Sequence, residues 1–234
     1  MTQLTIGRRF NGPAHSGNGG CTAGLLAAAS GLPGPVTVRL LRPPPLEEPL
    51  DVVPTGGGVG LRGADGPVAT AATGEVTWSE VEPVAVATAR AAEASYAGLT
   101  GHPFPTCFVC GPDREVGDGL RLFPGRVAPG KVAATWEPVG AVDESLTWAA
   151  LDCPSAWSTD LEARPLVLGE MTAQVLSTPQ PGTSYVVVGQ HVGGEGRKVR
   201  TASALFDADG RLLARAEHVW LEIGPEMLAR LRQG

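Results

Sequence analysis

Asp152 stands inside the apolar run Leu146–Trp157, LTWAALDCPSAW. A carboxylate in such surroundings needs a reason, because burying an unpaired charge costs several kcal/mol unless its pKa moves or it finds partners. One reason is a place in a functional site, where carboxylates with shifted pKa values collect. The plain alternative is an Asp that caps a helix broken at Cys153-Pro154, or one that is solvated. Far upstream, Asn18-Gly19-Gly20 opens the small-residue segment CTAGLLAAAS. A helix N-terminus presents unpaired N–H groups and a partial charge of about half a unit, a setting for developing negative charge. Lacking Cβ atoms, Gly19 and Gly20 let a carbonyl oxygen approach those N–H groups, while Asn18 adds a side-chain donor or caps the helix. The alternative is that these glycines serve only a turn and tight packing of the helix on a sheet.

Other residues are weaker candidates. His218, in RLLARAEHVWLEI, falls on an alternating strand, where it would orient a water or hold the Asp152 carboxylate, or simply be a satisfied or surface residue. Glu170, Thr172 and Gln174 alternate along another strand, and one of them would line the same site. Arg197, Lys198 and Arg200 form the densest basic cluster, followed by Arg39 and Arg42; either set suits phosphate groups, and a solvated hairpin is the ordinary explanation. His102 with Cys107-x-x-Cys110 invites a metal reading. Structural zinc needs four ligands, however, and a second Cys pair is missing, so the pair would have to recruit Cys153, a distant His or another chain. The expectation is therefore a turn with packed thiols and no metal. No G-x-S-x-G elbow is present for serine-hydrolase chemistry.

The elements that must position these residues occur twice. LRGADGPVATA (Leu61–Ala71) lies over LFDADGRLLARA (Leu205–Ala216), with the Ala-Asp-Gly turn in register. Upstream, RPPPLEEPLDVV from Arg42 lies over TPQPGTSYVVV from Thr178, and FNGPAHSGNGGCTAGLL from Phe10 over WEPVGAVDESLTWAALD from Trp136. Each half reads as a leading strand, one helix, and antiparallel strands joined by hairpins. The predicted helices are Gly19–Ser30 and Ser145–Ser158. The predicted strands are Val36–Leu41, Leu50–Val53, two arms around Asp65-Gly66, Leu168–Leu176, Tyr185–Gln190, Val199–Asp207 and Arg211–Ile223. PVAVATARAAEASYAGL from Pro83 predicts a helix between the halves and TGHPFPT a linker. The fold class is α+β, with boundaries at 1–82, 83–106 and 107–234.

Composition narrows the function. The 234-residue chain carries a formal net charge of −6, which argues against a general nucleic-acid binder. No apolar run reaches the roughly 18 residues of a membrane span, and the first ten residues lack the apolar core of a secretory signal. Four cysteines in a chain of this length do not suggest a disulfide scaffold. The expectation is a cytoplasmic protein without a membrane partner.

The helix followed by a long antiparallel meander, CFVCGPDREVGDGLRLFPG opening the second half, and the WAALDCPSAW helix together resemble tandem, or double-hotdog, thioesterase-like proteins. The resemblance covers nearly the whole chain and implies two hotdogs side by side in one continuous sheet, a monomeric pseudo-dimer or a homodimer. It implies hydrolysis of an acyl-CoA thioester without a cofactor, or a non-catalytic acyl-CoA-binding protein on the same fold. Hotdog dehydratases are a weaker option, since their Asp-and-His arrangement is not visible around FNGPAHSG. Hotdog thioesterases commonly carry His-Gly-Gly where this chain has Asn18-Gly19-Gly20, with His15 three residues earlier. In the double-hotdog enzymes an acidic residue at the helix position of Asp152 activates water, so the resemblance implies that Asp152 is the general base or nucleophile. The first half has Leu26 or Ala27 at that position, so the resemblance implies one shared cleft, with Asn18-Gly20 facing Asp152.

Overall fold

The structure is a computed structural model that describes residues 2–233. In chain order its elements are β1 (Thr2–Thr5), α1 (Gly19–Ser30), β2 (Val36–Leu40), β3 (Pro49–Thr55), β4 (Gly58–Gly63) and β5 (Gly66–Thr73). There follow α2 (Val86–Ala92), α3 (Gly98–Gly101), β6 (Gly125–Ala128), β7 (Lys131–Trp136) and α4 (Glu144–Trp157). The chain closes with β8 (Leu166–Val175), β9 (Tyr185–Glu195), β10 (Lys198–Asp207), β11 (Leu212–Glu222) and α5 (Pro225–Gln233).

All eleven strands join one sheet in the order β1-β3-β4-β5-β2-β8-β11-β10-β9-β7-β6. Apart from the edge strand β6, the order on one side of the β2–β8 seam mirrors that on the other, which is the structural form of the sequence repeat. At the seam, antiparallel pairing sets Thr37 opposite Thr172 and Val38 opposite Met171. The side-chain period of two then sends Val38 and Met171 inward, both buried, while the Thr37 and Thr172 hydroxyls meet at 2.7 Å on the other face. The main apolar core runs through both halves, from Leu50, Leu61 and Val68 to Leu151, Leu205 and Trp220.

The helices α1 and α4 lie against each other on the inner face of the sheet, and small residues on α1 set their separation. A Cβ added to Gly24 would stand 2.7 Å from Ser145 Cα, and one on Gly20 would stand 2.5 Å from Asp152 Cβ. Only glycine at these two positions, one turn apart, permits that approach. Asn18 caps α1 by accepting from the Cys21 N–H at 2.8 Å, and Gly31 ends it at φ +62°, the left-handed conformation that glycine adopts without strain. α4 is seated on its sheet by polar links. Ser203 Oγ donates to the Leu151 carbonyl at 2.8 Å, and the Trp220 indole N–H reaches Ser155 Oγ at 3.1 Å and Thr201 Oγ1 at 3.0 Å.

The predicted α1 matches its observed bounds, and α4 is displaced by one residue. α4 continues through Pro154 to Trp157, so Asp152 is an interior residue of an unbroken helix, not the cap of a broken one. α2 covers the outer face of the second half's sheet, packing Ala89 against Val186, Val188 and Phe206. Sequence reading did not foresee α5 or the β6–β7 hairpin. For α5 the signal was present: Pro225 at the first helical position, and Arg230 and Arg232 in the last turn.

Candidate active site

The mouth of α1 meets the middle of α4. Asp152, 2% exposed, turns Oδ2 toward the N-terminus of α1, where it accepts from the Gly20 N–H at 3.0 Å and from Asn18 Nδ2 at 2.9 Å. Its other oxygen, Oδ1, is buried with no partner. Burial raises the pKa of this carboxyl to about 7, and the nearby Cys107 adds to the rise, while the bonds from Gly20 and Asn18 pull it down. Asn18 is held in place from both sides. Its Oδ1 caps α1 and its Nδ2 serves Asp152, so the side-chain amide has one orientation that satisfies both.

The two glycines at this mouth divide the work. The Gly20 N–H is already committed to Asp152, so it does not serve as the free oxyanion donor foreseen for it. Among the described residues the Gly19 N–H donates to nothing, and Gly19 lines the cavity. Its missing Cβ also lets Leu168 of β8 pack close, since a Cβ there would stand 2.8 Å from Leu168 Cδ2. Close packing is thus served at both glycines, and the Gly19 N–H is left without an acceptor among the described residues.

A cavity of about 310 Å³ opens in front of Asp152 and Gly19. Its walls are largely apolar, with Trp157, Leu161, Leu168, Trp220, Met227 and Leu231 among them. The last two come from α5, the helix that sequence reading missed, and Arg232 of α5 ties it down by donating to the Pro103 carbonyl at 3.0 Å. Arg42 and Arg197 also border the cavity. Arg197 donates to the Glu222 carbonyl at 3.1 and 3.0 Å, and the Arg42 Nε is buried without a partner.

Several predicted site residues lie elsewhere. Glu170 pairs with Arg39 and Thr172 with Thr37, both on the sheet face turned away from the helices, because Met171 between them points inward. Gln174 accepts from Arg215 at 2.8 Å and is not in the cavity wall either. His218 is buried beneath α4, stacked on Trp220 with ring centroids 6.0 Å apart, and neither ring nitrogen has a partner. It does not hold Asp152, whose partners are Asn18 and Gly20. Burial lowers the pKa of His218 to about 3, so it is a neutral core residue. His15 is exposed in the loop before α1 and does not line the cavity. Lys198 and Arg200 lie on the exposed β9–β10 hairpin, and of that cluster only Arg197 reaches the cavity.

The Cys107–Cys110 turn is present, with the Gly111 N–H donating to the Cys107 carbonyl at 2.9 Å. The fold adds what the sequence spacing lacked: Cys153, next to Asp152 on α4, brings its Sγ to 3.7 Å from that of Cys107. All four cysteines are free thiols.

Comparison with solved structures places this architecture. A hotdog-fold protein of Alicyclobacillus acidocaldarius superposes with a TM-score of 0.65 at 15% identity, covering 95% of this chain and 93% of that one. A protein of Novosphingobium aromaticivorans described as a thioesterase gives 0.64 at 15% identity, with 95% of both chains covered. The tesB protein of Mycobacterium avium subs paratuberculosis gives 0.59 at 14% identity, covering 95% and 92%. No protein-family model and no curated sequence matches the chain. At these identities the likeness establishes the fold, an α+β double hotdog. No helix among the described residues is long and apolar enough to cross a membrane.

Proposed function

We propose that the protein hydrolyses an acyl-CoA thioester to a free acid and CoA. The observation that carries this reading is a buried Asp152 that lines the cavity and has an unpaired Oδ1, beside Gly19, whose N–H has no acceptor among the described residues. A general base must have an open acceptor atom, and an oxyanion site must have an open donor. In the proposed reaction Asp152 Oδ1 takes a proton from water as its oxygen attacks the thioester carbon. Negative charge gathers on the carbonyl oxygen, where the Gly19 N–H and the N-terminus of α1 stabilise it. The C–S bond then breaks, the new C–O bond remains in the acid, and the proton on Asp152 passes to the departing thiolate. The apolar wall suits an acyl chain, and Arg42 and Arg197 suit the phosphates of CoA. The experiment is turnover of a panel of acyl-CoAs by the full chain, with released thiol followed colorimetrically. Absence of turnover across the panel would remove this reading.

One observation favours a second reading. Two of the hydrogen bonds that Asp152 accepts come from the cap and first turn of α1, so the carboxylate also ties the two halves together. In a non-catalytic acyl-CoA-binding protein that would be its whole role, and the chain would bind acyl-CoA by calorimetry without releasing thiol.

A further inference from the structure

Beside the carboxylate, α4 and the turn before β6 bring three thiols to one point. The Sγ atoms of Cys107, Cys110 and Cys153 all lie within 4.8 Å of one another, and the first and last are 3.7 Å apart. We propose that these three cysteines bind one zinc ion as thiolates. Tetrahedral zinc with Zn–S bonds of about 2.3 Å sets its sulfurs roughly 3.7–3.8 Å apart, so the Cys107–Cys153 separation already has the required value. A disulfide would need an S–S distance of about 2.05 Å, far inside the observed one.

The surroundings suit thiolates. Phe104 donates its N–H to His102 Nδ1 at 2.9 Å, so the proton of the neutral imidazole sits on Nε2. That Nε2–H points at Cys110 Sγ from 3.2 Å. His102 thus serves as an outer hydrogen-bond donor to a sulfur ligand and not as a ligand itself. Asn18 Nδ2 stands 3.9 Å from Cys107 Sγ and 3.7 Å from Cys153 Sγ, so the amide that bonds Asp152 also faces two of the sulfurs. Among the described residues, no further His, Cys, Asp or Glu donor atom lies within the same 4.8 Å of all three sulfurs. The fourth position is left to water. Binding exchanges three S–H protons for one zinc ion, with no oxidant or reductant involved. The metal would fasten the linker before β6 to α4 and fix the backbone next to Asp152.

Elemental analysis of the full chain, purified without chelator, tests the assignment, and it does not depend on any enzymatic activity. About one zinc per chain is expected, with X-ray absorption showing three sulfur neighbours at about 2.3 Å and one lighter atom. The Co²⁺-loaded chain should show thiolate-to-cobalt charge transfer and the visible bands of a tetrahedral ion. Cys110→Ser should lose the metal, and circular dichroism shows whether that variant folds. Should it not fold, the absorption spectrum of the unaltered chain decides alone. His102→Ala should retain the tetrahedral spectrum while weakening Co²⁺ binding by about 10–100-fold. The proposal is overturned by a chain that holds no zinc and takes up neither Zn²⁺ nor Co²⁺. Fewer than three sulfur neighbours, or a Cys107–Cys153 disulfide found by mass spectrometry in the freshly purified chain, would overturn it equally.

Discussion

The two helix mouths of this pseudo-symmetric molecule are built from corresponding residues and do opposite things. At α1, Asn18 caps the helix and a carboxylate from the other half reaches across to the Gly20 N–H. At α4, Asp143 caps the helix with its own side chain, accepting from the Leu146 N–H at 2.8 Å in an exposed position. At the repeat position of Asp152 the first half has Leu26 or Ala27, both apolar. The first mouth has small residues and a buried carboxylate, while the second has Asp143, Glu144 and Ser145 and no buried acid to meet. Duplication supplied two equivalent junctions. What separates them is a handful of side chains and not any difference in backbone plan.

That contrast is sharpest at Asp152. Asp152→Asn keeps the shape and an acceptor for the Gly20 N–H but removes the base, so kcat for thioester hydrolysis should fall by about 10²-fold or more with KM little changed. If activity persists, the two mouths are functionally alike and the catalytic assignment fails. Leu26→Asp places a carboxylate at a fully buried apolar position of α1. It should create no activity and should cost roughly 3–5 kcal/mol in denaturant unfolding, because nothing there pairs a buried charge.

Gly20→Ala should lower both stability and kcat. The added Cβ cannot coexist with Asp152 Cβ at 2.5 Å, so the helices must part, at a cost of roughly 1–3 kcal/mol. At the corresponding Ser145 the change to Ala would only remove a hydroxyl that donates to Asp143, and it should leave hydrolysis largely intact.

Smaller effects belong to the rim. Arg42→Ala and Arg197→Ala should raise KM for CoA esters with kcat nearly constant, and should not affect truncated thioesters lacking the nucleotide. Lys198→Ala and Arg200→Ala, on the hairpin beyond the cavity, should change KM less. Equal effects from all four would mean that the charge of the whole hairpin, and not the cavity border, attracts the substrate.

His218 is a buried ionisable group beneath α4, outside the cavity wall. His218 is neutral in the fold, with its pKa lowered to about 3 from 6.5 by burial. The unfolded chain therefore binds a proton there that the folded chain does not, and stability is lost as pH falls below the unfolded value toward the folded one. His218→Leu should flatten that loss in acid-unfolding curves. At pH 7 it should also add about 1 kcal/mol, since both ring nitrogens are unpaired. If His218→Leu instead abolished hydrolysis with the fold intact, His218 would return to the mechanism.

Period and punctuation made much of this molecule legible in the sequence. The Ala-Asp-Gly turns, the prolines ahead of valine-rich strands and the Asn18-Gly19-Gly20 start are local signals whose physics lies within a few residues, and they disclosed the repeat, α1 and most of the strands. Asp152 was legible for the same reason, as a charge out of place in an apolar helix. Tertiary structure alone decided the rest. Strand phase does not say which face is inward where the register shifts, so Glu170 and Thr172 fell on the outer face while His218 fell in the core. The partner of a backbone N–H cannot be read from its own neighbourhood, so only the packing of α4 on α1 assigned Gly20 to Asp152 and left Gly19 free. Likewise Cys153 stands 43 residues after Cys110 in the chain. No local spacing rule could join them, and the crossing of two elements did.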